Sequence, residues 1–301
     1  MKLGYACINM TLFNSNNKIT TNRGMIKKTF MQKGLKYASS LALLNSKDLL
    51  KILEWNFENK INFFRVSSDI FPWASHYKLT ALPDYSEIKK TLSLVGDYAK
   101  KNNIRLTAHP GPFNVLVSPN KQVVQNTVVD LQMHAEMFDM LGLTRSYYNK
   151  INIHCNGVYG DKISAMNRFC DNFSKLSNGI KNRLTIENDD KSSMYSVKDL
   201  MYIHERTGIP IVFDYHHHKF CNGGLSEKDA FKLAVSTWPD NITPIVHYSE
   251  SKSIHTNNIK IKPQAHSDYI RCLPETYGFD VDIMIEAKAK ELAIMEFLKS
   301  S

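Results

Sequence analysis

The sequence has no CxxC pair, and its five cysteines, Cys7, Cys155, Cys170, Cys221 and Cys272, are odd in number and far apart. That pattern excludes a disulfide framework and a cysteine-rich zinc site, and it fits a reducing compartment. No run of 18 consecutive apolar residues is present, so no helical membrane span is expected. The opening stretch MKLGYACINMTLF carries one Lys and is interrupted by Gly4 and Asn9, unlike a signal peptide. A GxSxG elbow, a Walker loop and a GxGxxG fingerprint are all missing, which removes the commonest hydrolase, phosphate-loop and dinucleotide readings. The expectation is a soluble, intracellular protein that is neither secreted nor bound to a membrane.

What is present is ordinary for a globular chain: 43% apolar, 11% aromatic and 22% charged residues over 301 positions. Lys and Arg number 38 against 29 Asp and Glu, a net charge of +9 that is compatible with a polyanionic partner such as nucleic acid. Length permits either two domains of about 150 residues or one α/β barrel.

Pattern favours the barrel. Eight β-rich runs, at 2–7, 63–67, 104–109, 150–155, 183–189, 209–214, 243–249 and 281–287, alternate with helical periodicity at 45–59, 84–102, 120–141, 161–177, 196–207 and 226–236. Ser46, Asp84, Ser196 and Ser226 are N-cap candidates, and the Ser196/Asp199 and Ser226/Asp229 pairs have capping-box spacing. Runs such as IPIVF and VDIMI are apolar at nearly every position, as strands covered on both faces are. Eight strands predict a single (β/α)8 TIM-type barrel over 1–301, with a doubly wound open sheet as the rival. Residues 8–44 and 248–280 lack a helical pattern and are expected to be long loops on the C-terminal face, where barrels build their sites.

Ionisable residues close six of these strands in succession: His109, His154, Glu187, Asp214, His247 and Glu286. Spaced 45, 33, 27, 33 and 39 apart, they would all reach one rim of a parallel barrel. Three imidazoles and three carboxylates there can bind more than one divalent ion, since each takes only about four to six ligands. Carboxylates brought together without cations would repel. A buried hydrogen-bonded role accounts for any one of the six alone. Beyond the strand ends, DYHHHKF supplies His216, His217 and His218, of which one or two can face the pocket, and AHSD supplies His266. His76, in FPWASH, is placed to touch a phosphate oxygen or a leaving group. His134, His204 and His255 are assigned to solvent or packing.

The segments LGYACIN (3–9), TTNR (20–23), FFRVSSDIFPWASH (63–76), HPGPF (109–113), HCNGVYGDK (154–162), LTIEND (184–189), VFDYHHH (212–218), VHYSES (246–251), AHSDYI (265–270) and IEAKAKE (285–291) resemble the UV damage endonucleases. They run in order across nearly the whole chain and coincide with the strand ends identified above. The resemblance implies a barrel related to apurinic endonuclease IV. It also implies two or three Mn2+ or Zn2+ ions and cleavage of double-stranded DNA on the 5′ side of UV photoproducts by a monomer. It would assign one ion to Glu187, Asp214, His247 and Glu286, a second to His109 and His154 with Glu187 bridging, and a third to His217 and His266. Glu187, His76 and His247 would be the catalytic residues. Tyr5 and Asn9 would contact the extruded photoproduct, and Arg23 and Lys288 would contact DNA.

Two positions depart from the family pattern. Pro112 and Phe113 stand where Gln and an aromatic usually follow HPG, so an apolar wedge for the kinked duplex survives in Phe113 while a hydrogen-bonding partner is missing. Ile245 stands where relatives often have Lys, so water or a carboxylate would replace that amine.

A sugar isomerase or epimerase of the same barrel type would also hold metals, but its mouth should be acidic or neutral, whereas Arg23, Lys27, Lys28, Lys33 and Lys36 suit a phosphate backbone. An endonuclease IV-like activity on apurinic sites is the nearer alternative. A non-catalytic DNA-binding protein would have no need of six ligand-type residues at strand ends.

Overall fold

The computed structural model describes residues 1–300 other than 257 and 259. Its eight strands are β1 (Leu3–Ala6), β2 (Phe63–Val66), β3 (Arg105–Ala108), β4 (Ile151–His154), β5 (Leu184–Glu187), β6 (Ile211–Asp214), β7 (Ile245–Tyr248) and β8 (Asp282–Ile285). Each falls inside a run expected from sequence. They pair in parallel in chain order, and β8 returns to β1 to close the barrel. The open-sheet alternative is thereby excluded.

The longer helices between the strands are α1 (Lys27–Glu58), α2 (Tyr85–Lys101), α3 (Lys121–Met140), α4 (Lys162–Ser174), α5 (Val197–Thr207) and α6 (Glu227–Val235), and α7 (Glu291–Ser300) follows β8. Their apolar faces cover the outside of the strands in one continuous core, while Ala6, Phe63, Val212, Ile245, Met284 and Trp238 make a smaller second cluster. Among the described residues no helix is long and apolar enough to cross a membrane.

One helix boundary corrects the sequence reading. Residues 27–44 are helical, so α1 starts 18 positions before the expected 45; the chain departs from helical geometry only at Gly34, whose φ of 60° and ψ of −159° make a kink. Ser46 is consequently an interior residue, buried and donating to the Ala42 carbonyl, a bond serine can form in mid-helix. The other starts agree with expectation in position. Ser196 and Asp199 form a reciprocal capping box and Ser226 caps Asp229, but Asp84 turns its carboxylate to Ser39 rather than to its own helix.

Candidate metal centre

Parallel pairing in register brings the strand ends to one level: His154 lies opposite Glu187, and Asp214 opposite His247. His109 and Glu286 follow β3 and β8 by one residue. Glu187, 1% exposed, is the hub. Its Oε2 lies 3.2 Å from His109 Nε2, 3.9 Å from His154 Nε2 and 3.0 Å from His247 Nδ1, and its Oε1 lies 3.4 Å from His217 Nδ1. His247 Nδ1 is also 3.3 Å from Glu286 Oε1. Three overlapping groups have ligand atoms close enough to share an ion: His109, His154 and Glu187; Glu187, Asp214 and His217; Asp214, His247 and Glu286.

The structure thus places His217 with Glu187 and Asp214. His266 meets the cluster more loosely, its ring 6.3 Å from that of His217 and its Nδ1 4.0 Å from Glu286 Oε2. Of the three adjacent histidines only His217 faces the pocket; His216 turns to the Gln264 carbonyl and His218 packs on Phe213. This follows from the one-turn helix Tyr215–His218, whose first turn is capped when Asp214 Oδ1 accepts the His217 N–H at 2.8 Å.

Neighbouring groups orient the imidazoles. The Nδ1 atoms of His109, His217 and His266 meet the carbonyls of Pro110, Asn188 and Glu286, and His154 Nδ1 lies 3.2 Å from Asp189 Oδ1. Such partners hold Nδ1 protonated and leave the Nε2 lone pair free for a ligand. Despite this order, Glu187 Oε1, Asp214 Oδ2 and His247 Nδ1 are buried and, although His247 Nδ1 lies 3.0 Å from Glu187 Oε2 and Glu187 Oε1 lies 3.4 Å from His217 Nδ1, none of the three makes a hydrogen bond of proper geometry among the described residues. A folded chain rarely leaves three such atoms facing one another unless something binds them.

The electrostatics are correspondingly shifted. Burial alone would raise the Glu187 carboxyl, but the imidazoles of His247, His154 and His109 outweigh it and hold the group well below the usual carboxylate range. Burial pushes Asp214 up to about 7, with Glu187 and Glu286 adding to the rise against His217. Burial lowers His247 to about 4. His217 is raised to about 9 because Asp214, Glu187 and Glu286 overcome the effect of its burial.

Sequence reasoning missed four contributors. Arg65 Nη1 donates to Glu286 Oε1 at 2.6 Å, Asn152 Nδ2 donates to Glu187 Oε2, Asp189 faces His154, and Lys150 Nζ lies 3.2 Å from His247 Nε2. Period-two alternation along KINIHC sets Lys150 and Asn152 on the face of His154, a signal available in the sequence. Ile245 packs with Ala6, Phe63, Val212 and Met284. The site therefore has an amine next to His247, supplied by the residue that leads into β4, where water or a carboxylate was expected.

The remaining candidates stand outside the ligand cluster. His76 is exposed, set against Trp73 and Phe30 with Nδ1 on Ser75 Oγ, and is not among the three ligand groups. Phe113 is 87% exposed beside exposed Pro112, and Lys288 is exposed. Tyr5 and Asn9 are fully buried: Asn9 Nδ2 donates to Tyr5 Oη at 2.8 Å, and Tyr5 donates to Asn56. Neither is presented to a base in this conformation. Arg23 is tied to Asp48 at 2.6 Å and to the Thr20 and Lys18 carbonyls. His134 bridges the Asp130 carbonyl and Ser68, His204 meets the Ile209 carbonyl and His255 meets Glu250.

A closed parallel barrel with imidazoles and carboxylates converging on its C-terminal mouth is the architecture of barrel enzymes that gather cations at strand ends. The family model described as UV-endonuclease UvdE matches residues 1–301, and the chain belongs to that family. It is 35% identical over 309 residues to the UV DNA damage endonuclease of Clostridium perfringens, covering 100% of this chain and 70% of the relative. It is 36% identical over 307 residues to the UV-damage endonuclease of Schizosaccharomyces pombe, covering 99% of this chain but only half of that longer protein. The crystal structure of SacUVDE superposes with a TM-score of 0.84 at 35% identity, covering 100% of this chain and 97% of that one. Endonuclease IV from Thermus thermophilus shares the fold alone, at 12% identity and a TM-score of 0.56 over 85% of this chain and 96% of that one.

Proposed function

We propose that the chain is a metal-dependent endonuclease that hydrolyses the DNA backbone on the 5′ side of UV photoproducts, both pyrimidine dimers and 6-4 photoproducts, and so initiates their excision. The observation that carries this reading is the set of orphaned buried atoms, Glu187 Oε1, Asp214 Oδ2 and His247 Nδ1, in one pocket of a chain that belongs to the UvdE family.

The donor set is all imidazole and carboxylate, which fits Mn2+ or Zn2+. Two or three ions are assigned: one to Glu187, Asp214, His247 and Glu286, a second to His109 and His154 with Glu187 shared, and a third to His217 and His266. When bound, such ions would supply positive charge for a phosphodiester under attack and make the attacking water more acidic. Within the chain, Glu187 would be the carboxylate shared between ions, because four imidazoles reach it. Arg65 fixes the Glu286 carboxylate, and Lys150 fixes the far edge of the His247 ring. His76 stands on the mouth, where its exposed imidazole suits a phosphate oxygen or the leaving group.

Recognition is assigned to duplex DNA that carries the lesion. Phe113, with Pro112 beside it, enters the opened base step, and damaged bases are easier to extrude because their stacking and pairing are already weak. Tyr5 and Asn9 meet the extruded photoproduct only after their mutual hydrogen bond opens, and Arg23 and Lys288 lie toward the backbone. The whole of residues 1–301 acts as one unit, as a monomer inside the cell.

The test is nicking of supercoiled plasmid, with and without prior UV irradiation and with Mn2+ or a chelator. Nicking of irradiated plasmid that needs the metal and maps to the 5′ side of dimers is expected. Nicking only of plasmid with apurinic sites would favour an endonuclease IV-like activity, and no metal-dependent nicking at all would overturn the endonuclease reading.

A further inference from the structure

The first 47 residues contain eight Lys and Arg and not one Asp or Glu; the first acidic residue is Asp48. The remaining 254 positions hold 30 basic and 29 acidic residues, so eight of the nine net charges lie in this one segment. From the C-terminal end of β1 it runs through residues 7–26 into α1. Lys18, Lys27, Lys28, Lys33 and Lys36 are all exposed. Of the carboxylates nearby, Asp48 is engaged by Arg23 and Lys51, Glu87 by Lys47, Asp84 by the Ser39 hydroxyl and Asp69 by the Asn22 amide. Among the described residues those five lysines therefore have no carboxylate partner.

The segment is also placed. The Gly34 kink sets the helical residues 27–33 apart from the long part of α1 that packs on the barrel. Phe30 stacks on Trp73 with centroids 5.6 Å apart, and Trp73 Nε1 donates to the Met25 carbonyl at 2.8 Å, so the arm is fastened to the loop after β2, beside His76. Among its lysines stand two exposed apolar side chains, Ile26 at 69% and Met31 at 73%.

We infer that residues 18–36 form a lesion-independent grip on duplex DNA, in which Lys18, Lys27, Lys28, Lys33 and Lys36 neutralise phosphates on the flank of the damaged site and Ile26 and Met31 pack against the sugars of the groove edge. Uncompensated lysines release counterions when they meet phosphates, which makes the contribution salt-dependent and blind to sequence. An exposed apolar pair set among lysines is placed to pack on the deoxyribose wall that those phosphates border. Phe113 belongs to a different loop, after β3, so the grip and the reading of damage are separate functions of separate segments. This inference rests on DNA being the substrate.

The experiment measures binding of an undamaged 30-base-pair duplex, which is not cut, over a series of salt concentrations with Mn2+ present. It compares the wild-type chain with the variant Lys27→Gln, Lys28→Gln, Lys33→Gln and Lys36→Gln, and with the corresponding Lys→Arg variant. The Gln variant is expected to bind about tenfold or more weakly near 0.1 M salt, and its plot of log affinity against log salt should flatten by about 0.9 for each phosphate that is no longer neutralised. Lys→Arg should restore both. The ratio of binding to dimer-containing over intact duplex should stay at its wild-type value, because the grip does not sense damage. Wild-type affinity and salt slope in the Gln variant, accompanied by wild-type nicking, would overturn the grip alone; binding of the arm to anionic lipid vesicles with DNA affinity unchanged would do the same. Failure of the wild-type chain to bind or nick DNA would instead overturn the reading on which the grip rests.

Discussion

Lys150 Nζ lies 3.2 Å from His247 Nε2, while the opposite edge of that ring, Nδ1, lies 3.0 Å from Glu187 and 3.3 Å from Glu286. The imidazole is thus held between an amine and two carboxylates. A cation held at Nδ1 would leave the ring proton on Nε2, and only an uncharged amine could accept it. Burial supplies that condition by pushing the lysine well below its usual value. Replacing Lys150 with Met keeps the length and apolar stem but removes the acceptor. A loss of roughly 10- to 100-fold in Mn2+ affinity is expected, as for other groups that orient a ligand. Titration calorimetry and metal content of the purified protein measure it, and unchanged affinity would show that Lys150 merely fills space.

Glu187→Gln preserves volume while removing the charge reached by four imidazoles. Nicking should fall further than in the Lys150 variant, and metal content should drop, while binding to intact duplex persists because the basic arm is untouched. Turnover at the wild-type rate would refute Glu187 as the bridge.

Phe113→Ala should change recognition and not stability. The side chain is 87% exposed, so unfolding free energy should move by less than about 0.5 kcal/mol. The preference for irradiated over intact plasmid should decline. If the preference stays the same, the ring is not a wedge.

Metal uptake should depend on pH. In the ion-free chain burial raises the Asp214 carboxyl to about 7, so below that pH a proton competes with the cation for Oδ2, and above it the carboxylate is free. Raised His217, at about 9, adds a second proton to displace. Mn2+ affinity should therefore increase from pH 6 to pH 8 with release of protons. Calorimetry in two buffers of different ionisation enthalpy counts them; identical heats and a flat affinity would contradict this arrangement.

Gly96 reports on packing alone. A Cβ there would stand 1.6 Å from the Leu141 carbonyl oxygen, so α2 touches the chain after α3 backbone to backbone. Gly96→Ala must force the two apart, and a destabilisation of about 1–3 kcal/mol or more is expected from denaturant unfolding.

Much of this protein is determined by sequence alone, because its strands are short apolar runs and its ligand-type residues sit at their ends, so that one-dimensional position reads directly as height in a parallel barrel. His109, His154, Glu187, Asp214, His247 and Glu286 could be placed on one rim without coordinates for that reason. Side-chain direction across the barrel has no such linear signature. Only the closed structure decided that His217 and neither of its neighbours faces the pocket, that Tyr5 and Asn9 satisfy each other in the interior, and that Lys150, at the entry to β4, meets His247 of β7 across the barrel. These outcomes depend on which strands end up opposite one another and on which polar atoms burial leaves unpaired, and both are properties of the packed barrel as a whole.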